Sequence, residues 1–342
     1  MAKRQNLCAL QAGQNVEETY LLTKKEILTS KNGNSYGALG LSDATARIEA
    51  KLWERAEELL RGLEEGQVVK VWGKAQNYQG QIQLVVAQIA FSPESNPTDF
   101  MVQGPKAGVQ LWAEFDSLLK KIADPGLKRL LGSVFAPNFR PRFGSAPAAK
   151  AAHHAYVGGL LEHTVSVGQL AVLLAGHYPH LDRDLLLSGA LLHDIGKVEE
   201  LVLGPPLDYS DAGRLEGHII LGLRRLDAAL AQQPGFPEPL AGALRHLLVS
   251  HHGQEAFGSP QKPKTPEALA LHVLDDLDAK TQMVKALVLA AQPGKNWSSF
   301  HALLERQIYL KDAAGNSRGG AEEEKPKLSA GEFSLFRQLD EN

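Results

Sequence analysis

The apolar residues of this chain change their period once. Before Pro93 they come in short runs with partial two-residue alternation, and after Pro105 they follow helical spacing to about residue 310. A sheet and a helix bundle bury their apolar faces differently, so the change marks two separately built units. The length of 342 residues agrees, being too great for one core of ordinary size. Pro93, Pro97, Gly104 and Pro105 fall in the junction. The reading is a multidomain protein: an all-β unit over 1–92, a linker over 93–108, an all-α unit over 109–311, and a tail over 312–342 whose composition predicts disorder.

In the first unit, residues 21–23, 35–41 and 46–53 read as strands. Residues 54–63 take helical spacing, and 68–72 and 81–86 are two more strands around a polar turn at 77–80. Three strands, a helix and two strands is the order of an OB-type barrel, a platform on which aromatic side chains stack bases and basic ones follow phosphates. Tyr36, Trp53, Trp72 and Tyr78 are the candidate stackers, with Lys24, Lys31, Arg47, Lys51, Lys70 and Lys74 as sources of charge. For the two tryptophans, core packing is an equal alternative. Residues 1–90 hold eleven basic and ten acidic side chains and the whole chain carries a formal charge of -3, so charge alone does not bind a polyanion here.

The twelve histidines all lie between 153 and 301. Helices are expected at 111–122, 127–135, 157–175, 183–199, 217–232, 239–250, 265–290 and 298–309. His163, the adjacent His193-Asp194, His218, His251-His252 and the acidic run Asp275, Asp276, Asp278 are set into them. A lone buried histidine is usually a satisfied core residue. Several, together with carboxylates inside runs such as Leu191-Leu192-His193-Asp194-Ile195, are costly to bury without a cation. Imidazoles and carboxylates from several helices suit a divalent ion, and a shared Asp194 is able to bridge two. Such a pair activates a water and neutralises a phosphoryl oxygen. The single cysteine, Cys8, allows no intramolecular disulfide and no thiolate zinc site. No long apolar leader or uninterrupted membrane span is present, so a cytoplasmic protein without a membrane partner is expected.

His163, then His193-Asp194, then a late aspartate is the ordered signature of the HD-domain phosphohydrolases. Ile195-Gly196-Lys197, His218 and His251-His252 resemble the expanded two-metal members. His153-His154 with Gly158-Gly159-Leu160-Leu161-Glu162-His163, together with Gly217-His218-Ile219, His251-His252-Gly253 and Asp275-Asp276-Leu277-Asp278, resembles the YhaM-type 3′-5′ exoribonucleases. That family joins an OB-type barrel to an HD domain.

The resemblance implies metal-dependent hydrolysis of single-stranded RNA, with single-stranded DNA as a second polymer, to nucleoside 5′-monophosphates. It also suggests a homo-oligomer. Primary metal positions fall on His163, His193, Asp194 and Asp275, and second-metal positions on His218 and His251 or His252. Asp278, at i+3 from Asp275, is placed to orient a histidine. Manganese is the expected ion, although affinity order alone does not select it over iron, nickel, cobalt or zinc.

Lys197, one turn after His193, is a candidate phosphate contact beside Asp194, and Lys280 a weaker one. His154 is a candidate for substrate contact or general acid, or simply starts a helix. The loop Asn138-Phe139-Arg140-Pro141-Arg142-Phe143-Gly144 offers Arg142 as a phosphate clamp and Phe143 as a base stacker. Lys150 and, on the barrel, Tyr36 complete the substrate candidates. Two rivals remain open: an HD hydrolase of free or cyclic nucleotides, and a non-catalytic single-strand-binding regulator.

Overall fold

The computed structural model describes residues 5–310, apart from 31, 79–80, 94–96, 105, 107, 151–153, 155, 205–206, 290 and 292–295. The 312–342 tail, His153 and half of the 77–80 turn lie outside the described residues.

Five strands close into a barrel: β1 (Asn15–Thr29), β2 (Ser35–Ser42), β3 (Arg47–Leu52), β4 (Val68–Tyr78) and β5 (Gln81–Phe91), with a short helix α1 (Ala56–Leu59) between β3 and β4. Around the barrel the order is β1-β2-β3-β5-β4. All pairs are antiparallel except β3–β5, which closes it. β1 pairs with β4 through Asn15–Leu21 and with β2 through Leu21–Thr29, and its register to β2 shifts between Leu22 and Lys24, a bulge that sharpens its bend. Alternate positions point inward. Val16, Tyr20, Leu22, Leu39, Leu41, Val69, Val71 and Leu84 fill the interior, with Leu60 and Leu63 beside α1 at one end. Gly73 sits at the β4–β5 register shift, where a Cβ would fall 2.4 Å from the Val85 carbonyl oxygen. This is the OB-type barrel expected from the strand order.

The second unit is helical: α2 (Gly108–Lys121), α3 (Pro125–Val134), α4 (Arg140–Ser145), α5 (Gly159–His177), α6 (Arg183–Leu192), α7 (Lys197–Glu200), α8 (Asp211–Ala231), α9 (Glu238–Ser250) and α10 (Pro266–Leu289), with a two-strand ribbon after α7. Local signals start several of these. The Asp124 carboxylate caps α3 ahead of Pro125, Asp182 caps α6 and Ser210 caps α8. α5 runs through the centre against α2, α4, α6 and α10. By length and composition it is apolar enough to cross a membrane, but 61% of its apolar window is buried inside the protein, as in a core helix.

Three expectations are corrected. The helix over 183–199 is broken after Leu192. The chain makes tight turns there, with Ile195 N–H donating to Leu192 O and Lys197 N–H to Asp194 O, before α7 begins. The stretch 298–309 is not a helix. Trp297 and Tyr309 form one bridge, His301 and Arg306 another, and the backbone bonds close across a hairpin. The 138–144 loop is largely α4, with Pro141 in its first turn, where a missing N–H costs nothing.

The two units touch through the linker. Phe100 and Met101 pack with Leu21 and Val68 of the barrel, and Val157, Leu203 and Leu207 lie against the same cluster.

Candidate metal centre

The break after α6 decides where His193 and Asp194 point. His193 is the C-cap of α6, still helical in φ and ψ, and its Nδ1–H donates to the Ala190 carbonyl at 2.9 Å. That bond fixes the tautomer and turns Nε2 inward. Gly196 holds the turn against α8: a Cβ there would lie 1.9 Å from the His218 carbonyl oxygen. His218 lies just past a kink in α8 at Gly217, whose φ of 74° is open to glycine. Its Nδ1 and its backbone N–H both meet Glu200 Oε1, at 3.0 and 3.1 Å. His251 caps the C-terminus of α9, and its Nδ1–H donates to the Leu248 carbonyl at 2.7 Å. His163, one turn into α5, gives its Nδ1–H to Asp278 Oδ2 at 2.7 Å. Each ring is therefore held from behind, and its Nε2 faces a common interior.

Asp194 divides that interior. Its Oδ2 lies 3.2 Å from His193 Nε2 and 3.5 Å from His163 Nε2. Asp275 Oδ1 sits on the same side, 3.1 Å from His163 Nε2. Oδ1 of Asp194 faces the other way, 3.6 Å from His218 Nε2 and 3.7 Å from His251 Nε2. Donor atoms of His163, His193 and Asp275 converge within 4.8 Å of one another, as do those of His218, His251 and His252. His163, His193 and His251 are fully buried and Asp194 is nearly so.

The donor set fits divalent ions. His163 Nε2 and His193 Nε2 stand 3.1 Å apart, and both rings already use Nδ1 as donor. In neutral rings, two lone pairs then face each other, an arrangement that needs a positive centre between or beside them. The buried Asp194 Oδ1, His218 Nε2 and His251 Nε2 accept no hydrogen bond among the described residues. Without a cation, the surrounding carboxylates draw positive charge onto His163 instead. Burial pushes His163 down, but its bonds to Asp275 and Asp278 outweigh this and raise it to about 9. Burial, with His252 and His193 nearby, holds His251 well below the usual imidazole range, leaving its lone pair available. Burial raises Asp194, yet Lys197, His193 and His218 bring its carboxyl well below the usual range.

The remaining candidates separate. Lys197 starts α7 rather than continuing the His193 helix, and its Nζ lies 2.7 Å from Asp194 Oδ2, largely buried. Tyr36 is stacked on Trp53 with ring centroids 4.8 Å apart, and Lys51 Nζ lies 5.3 Å from the Tyr36 ring. Trp53 and Tyr78 are exposed, and Lys70 lies over the Trp72 ring, so the barrel tryptophans are not core. Arg142 is exposed, 3.7 Å from Glu199. Lys150 pairs with Asp208 at 2.8 Å.

Two substrate candidates are overturned. Phe143 is fully buried against Phe115, Phe135, Phe139 and Trp112, because α4 turns that face into the core, so it stacks no base. Lys280 pairs with Asp276 one turn back on the exposed side of α10, while Asp275 and Asp278 face inward. His154 is buried with its backbone at φ 54° and contacts Tyr156 and Asp278 rather than the interior that Asp194 divides. Sequence reasoning missed Glu200, which holds His218; a carboxylate shortly after His193-Asp194 on an otherwise ordinary helix end gave no signal.

The comparisons with known proteins bear on the same elements. The HD domain model matches residues 160–280, and the OB-fold nucleic acid binding domain model matches 21–90. The 3′-5′ exoribonuclease YhaM of Geobacillus sp. (strain WCH70) is 33% identical over 296 residues, 85% of this chain and 91% of that protein. Among solved structures, the second OB-fold domain of replication protein A from Methanococcus maripaludis shares 19% identity over 28% of this chain and 99% of its own, with a TM-score of 0.23. The mitochondrial single-stranded DNA binding protein Rim1 from S. cerevisiae shares 16% over 24% and 97%, with a TM-score of 0.21. One relative matched along nearly its whole length, with an HD model over the histidine-bearing helices and an OB model over the barrel, makes the chain a member of the YhaM-type 3′-5′ exoribonuclease family.

Proposed function

We infer that this protein is a metal-dependent 3′-5′ exoribonuclease that releases nucleoside 5′-monophosphates from single-stranded RNA, with single-stranded DNA as a second polymer. The observation that carries the reading is the division of Asp194, whose two oxygens face two separate sets of buried nitrogen and oxygen donors. His163, His193 and Asp275 with Asp194 would hold one divalent ion, and His218, His251 and His252 with Asp194 a second; manganese suits this mixed imidazole and carboxylate set. When bound, such a pair supplies an activated water and neutralises charge on the scissile phosphate.

The chain's own residues do the rest. Ala190 O, Leu248 O, Asp278 and Glu200 keep each imidazole in one tautomer and one orientation. Leu192 and Ile195, on either side of His193-Asp194, are fully buried and anchor that pair in the core, while Asp275 and His218 keep a partly exposed edge. Lys197 places a cation beside the shared carboxylate and is assigned to a phosphate oxygen. Its partner Asp194 faces both donor sets and has no role as a nucleophile. On the barrel, the Tyr36–Trp53 stack with Lys51, and Trp72 with Lys70, combine a ring face with a positive charge, the pairing that binds single strands without reading sequence.

The test is hydrolysis of a 5′-labelled single-stranded RNA with manganese or with chelator, beside an Asp194→Ala control. The expected result is a ladder shortening from the 3′ end that needs both metal and Asp194. Intact RNA from folded, metal-loaded protein would move the reading to a hydrolase of small nucleotides.

A further inference from the structure

Behind His163, on the side away from Asp194, runs a second buried line of polar groups. Asp278 Oδ2 accepts the Nδ1–H of His163, and its Oδ1 accepts the Ser166 hydroxyl. His154 Nε2 lies 3.4 Å from the same carboxylate. His154 Nδ1 is 2.6 Å from the Tyr156 hydroxyl oxygen, and that hydroxyl donates to Glu162 Oε2 at 2.8 Å. His154, Glu162 and Asp278 are all buried. Burial, then the Glu162 charge, pushes the Tyr156 phenol up, so the hydroxyl keeps its proton. The backbone of His154 is held in the left-handed region, uncommon outside glycine, with its carbonyl accepting from Ala148 N–H at 3.1 Å and Tyr156 N–H at 2.9 Å.

This line ends at the linker. Val157 N–H donates to Val102 O and Gly104 N–H to Val157 O, both at 3.1 Å, and Gln103 forms a parallel bridge with Val157. Gly104 lies directly on the last two members: a Cβ there would stand 3.0 Å from the Tyr156 ring and 3.4 Å from Glu162 Oε2. The residues just before it, Phe100 and Met101, are packed with the barrel residues Leu21 and Val68. Contact is therefore continuous from the barrel to the back of His163.

We propose that linker residues 101–104 and the line Glu162–Tyr156–His154–Asp278 form one positioning device for His163, so that metal retention depends on how the segment carrying the barrel is seated. His154 acts within it as a positioning residue. The proposal rests on the reading of His163 as a metal ligand, and its test separates the two.

The test uses full-length protein stripped with chelator, as wild type, Tyr156→Phe, Gly104→Val and the double variant. Manganese affinity is read by titration calorimetry, the melting midpoint of the stripped proteins by circular dichroism, and kcat and KM on a short RNA. Each single change is expected to weaken manganese binding about tenfold, as for other partners behind a ligand. The double variant should be no weaker than the worse single, because both cut one line. kcat should fall while KM for the short RNA holds. If Gly104→Val does not fold, Gly104→Ala should show a smaller loss of the same sign. Wild-type affinity in Tyr156→Phe and Gly104→Ala, or full additivity in the double variant, would overturn the proposal alone. A wild type that binds neither manganese nor another divalent ion would overturn the metal reading and this proposal together.

Discussion

The barrel displays its chemistry-bearing side chains, whereas the helical unit hides them. Trp53 is 50% and Tyr78 60% exposed, while His163, His193 and His251 are at 0%. Stacking a base on an exposed ring needs no compensation in the free protein, since the ring is an ordinary amphipathic surface group. Burying imidazoles and carboxylates together does need compensation. Here it comes from carbonyls and carboxylates that satisfy each ring from behind, leaving Asp194 Oδ1, His218 Nε2 and His251 Nε2 without hydrogen bonds among the described residues. The exposed set therefore suits a partner that comes and goes, and the buried set one that stays.

The largest expected effect breaks the buried side. Asp194→Ala should lower RNA hydrolysis by more than the about 10–100-fold typical of groups that only support a ligand. It should also lower the metal content of the purified protein, measured by elemental analysis.

Next is a change that sharpens the distinction between aromatic residues of the two units. Phe143→Ala should destabilise the protein by about 3–5 kcal/mol in denaturant melts, as an aromatic removed from a packed core does. At a temperature where the variant remains folded, its RNA affinity should equal that of the wild type. Weakened RNA binding at unchanged stability would restore Phe143 to the substrate path.

Trp53→Ala addresses the exposed side. It should weaken single-strand binding by about 1–3 kcal/mol, the worth of one base on one ring, and leave manganese affinity unaltered. Fluorescence anisotropy with a labelled oligonucleotide reads the first quantity and calorimetry the second. The smallest effect is reserved for Lys280→Ala. Its exposed pair with Asp276 contributes little, so stability should move by less than about 0.5 kcal/mol and activity should not move at all.

How far these features were legible in the sequence follows the same division. The barrel showed itself through strand order and turn residues, and the histidine-rich helices through polar residues set in apolar runs, a local contrast that survives without coordinates. What failed depended on tertiary placement. Phe143 lies between Pro141 and Gly144, which suggest a loop, yet Pro141 fits the first turn of a helix whose buried face carries the ring. The 298–309 stretch has helical composition, but its His301 and Arg306 pair across a hairpin, as do Tyr309 and the preceding Trp297. Lys280 follows Asp278 closely in sequence and still falls on the opposite side of its helix from the inward carboxylates. Glu200 and Tyr156 are chemically ordinary residues, and only folding brings Glu200 behind His218 and Tyr156 against His154.

The central claim is that the buried donors exist to hold metal, and the most direct test is the number of divalent ions bound per folded chain. Protein stripped and reloaded with manganese, then freed of excess ion, is expected to carry two ions per chain. Its unfolding free energy should rise by about 2.7 kcal/mol for each bound ion when free manganese is a hundred times that site's dissociation constant. A folded chain that carries no ion and melts identically with and without manganese would contradict the account.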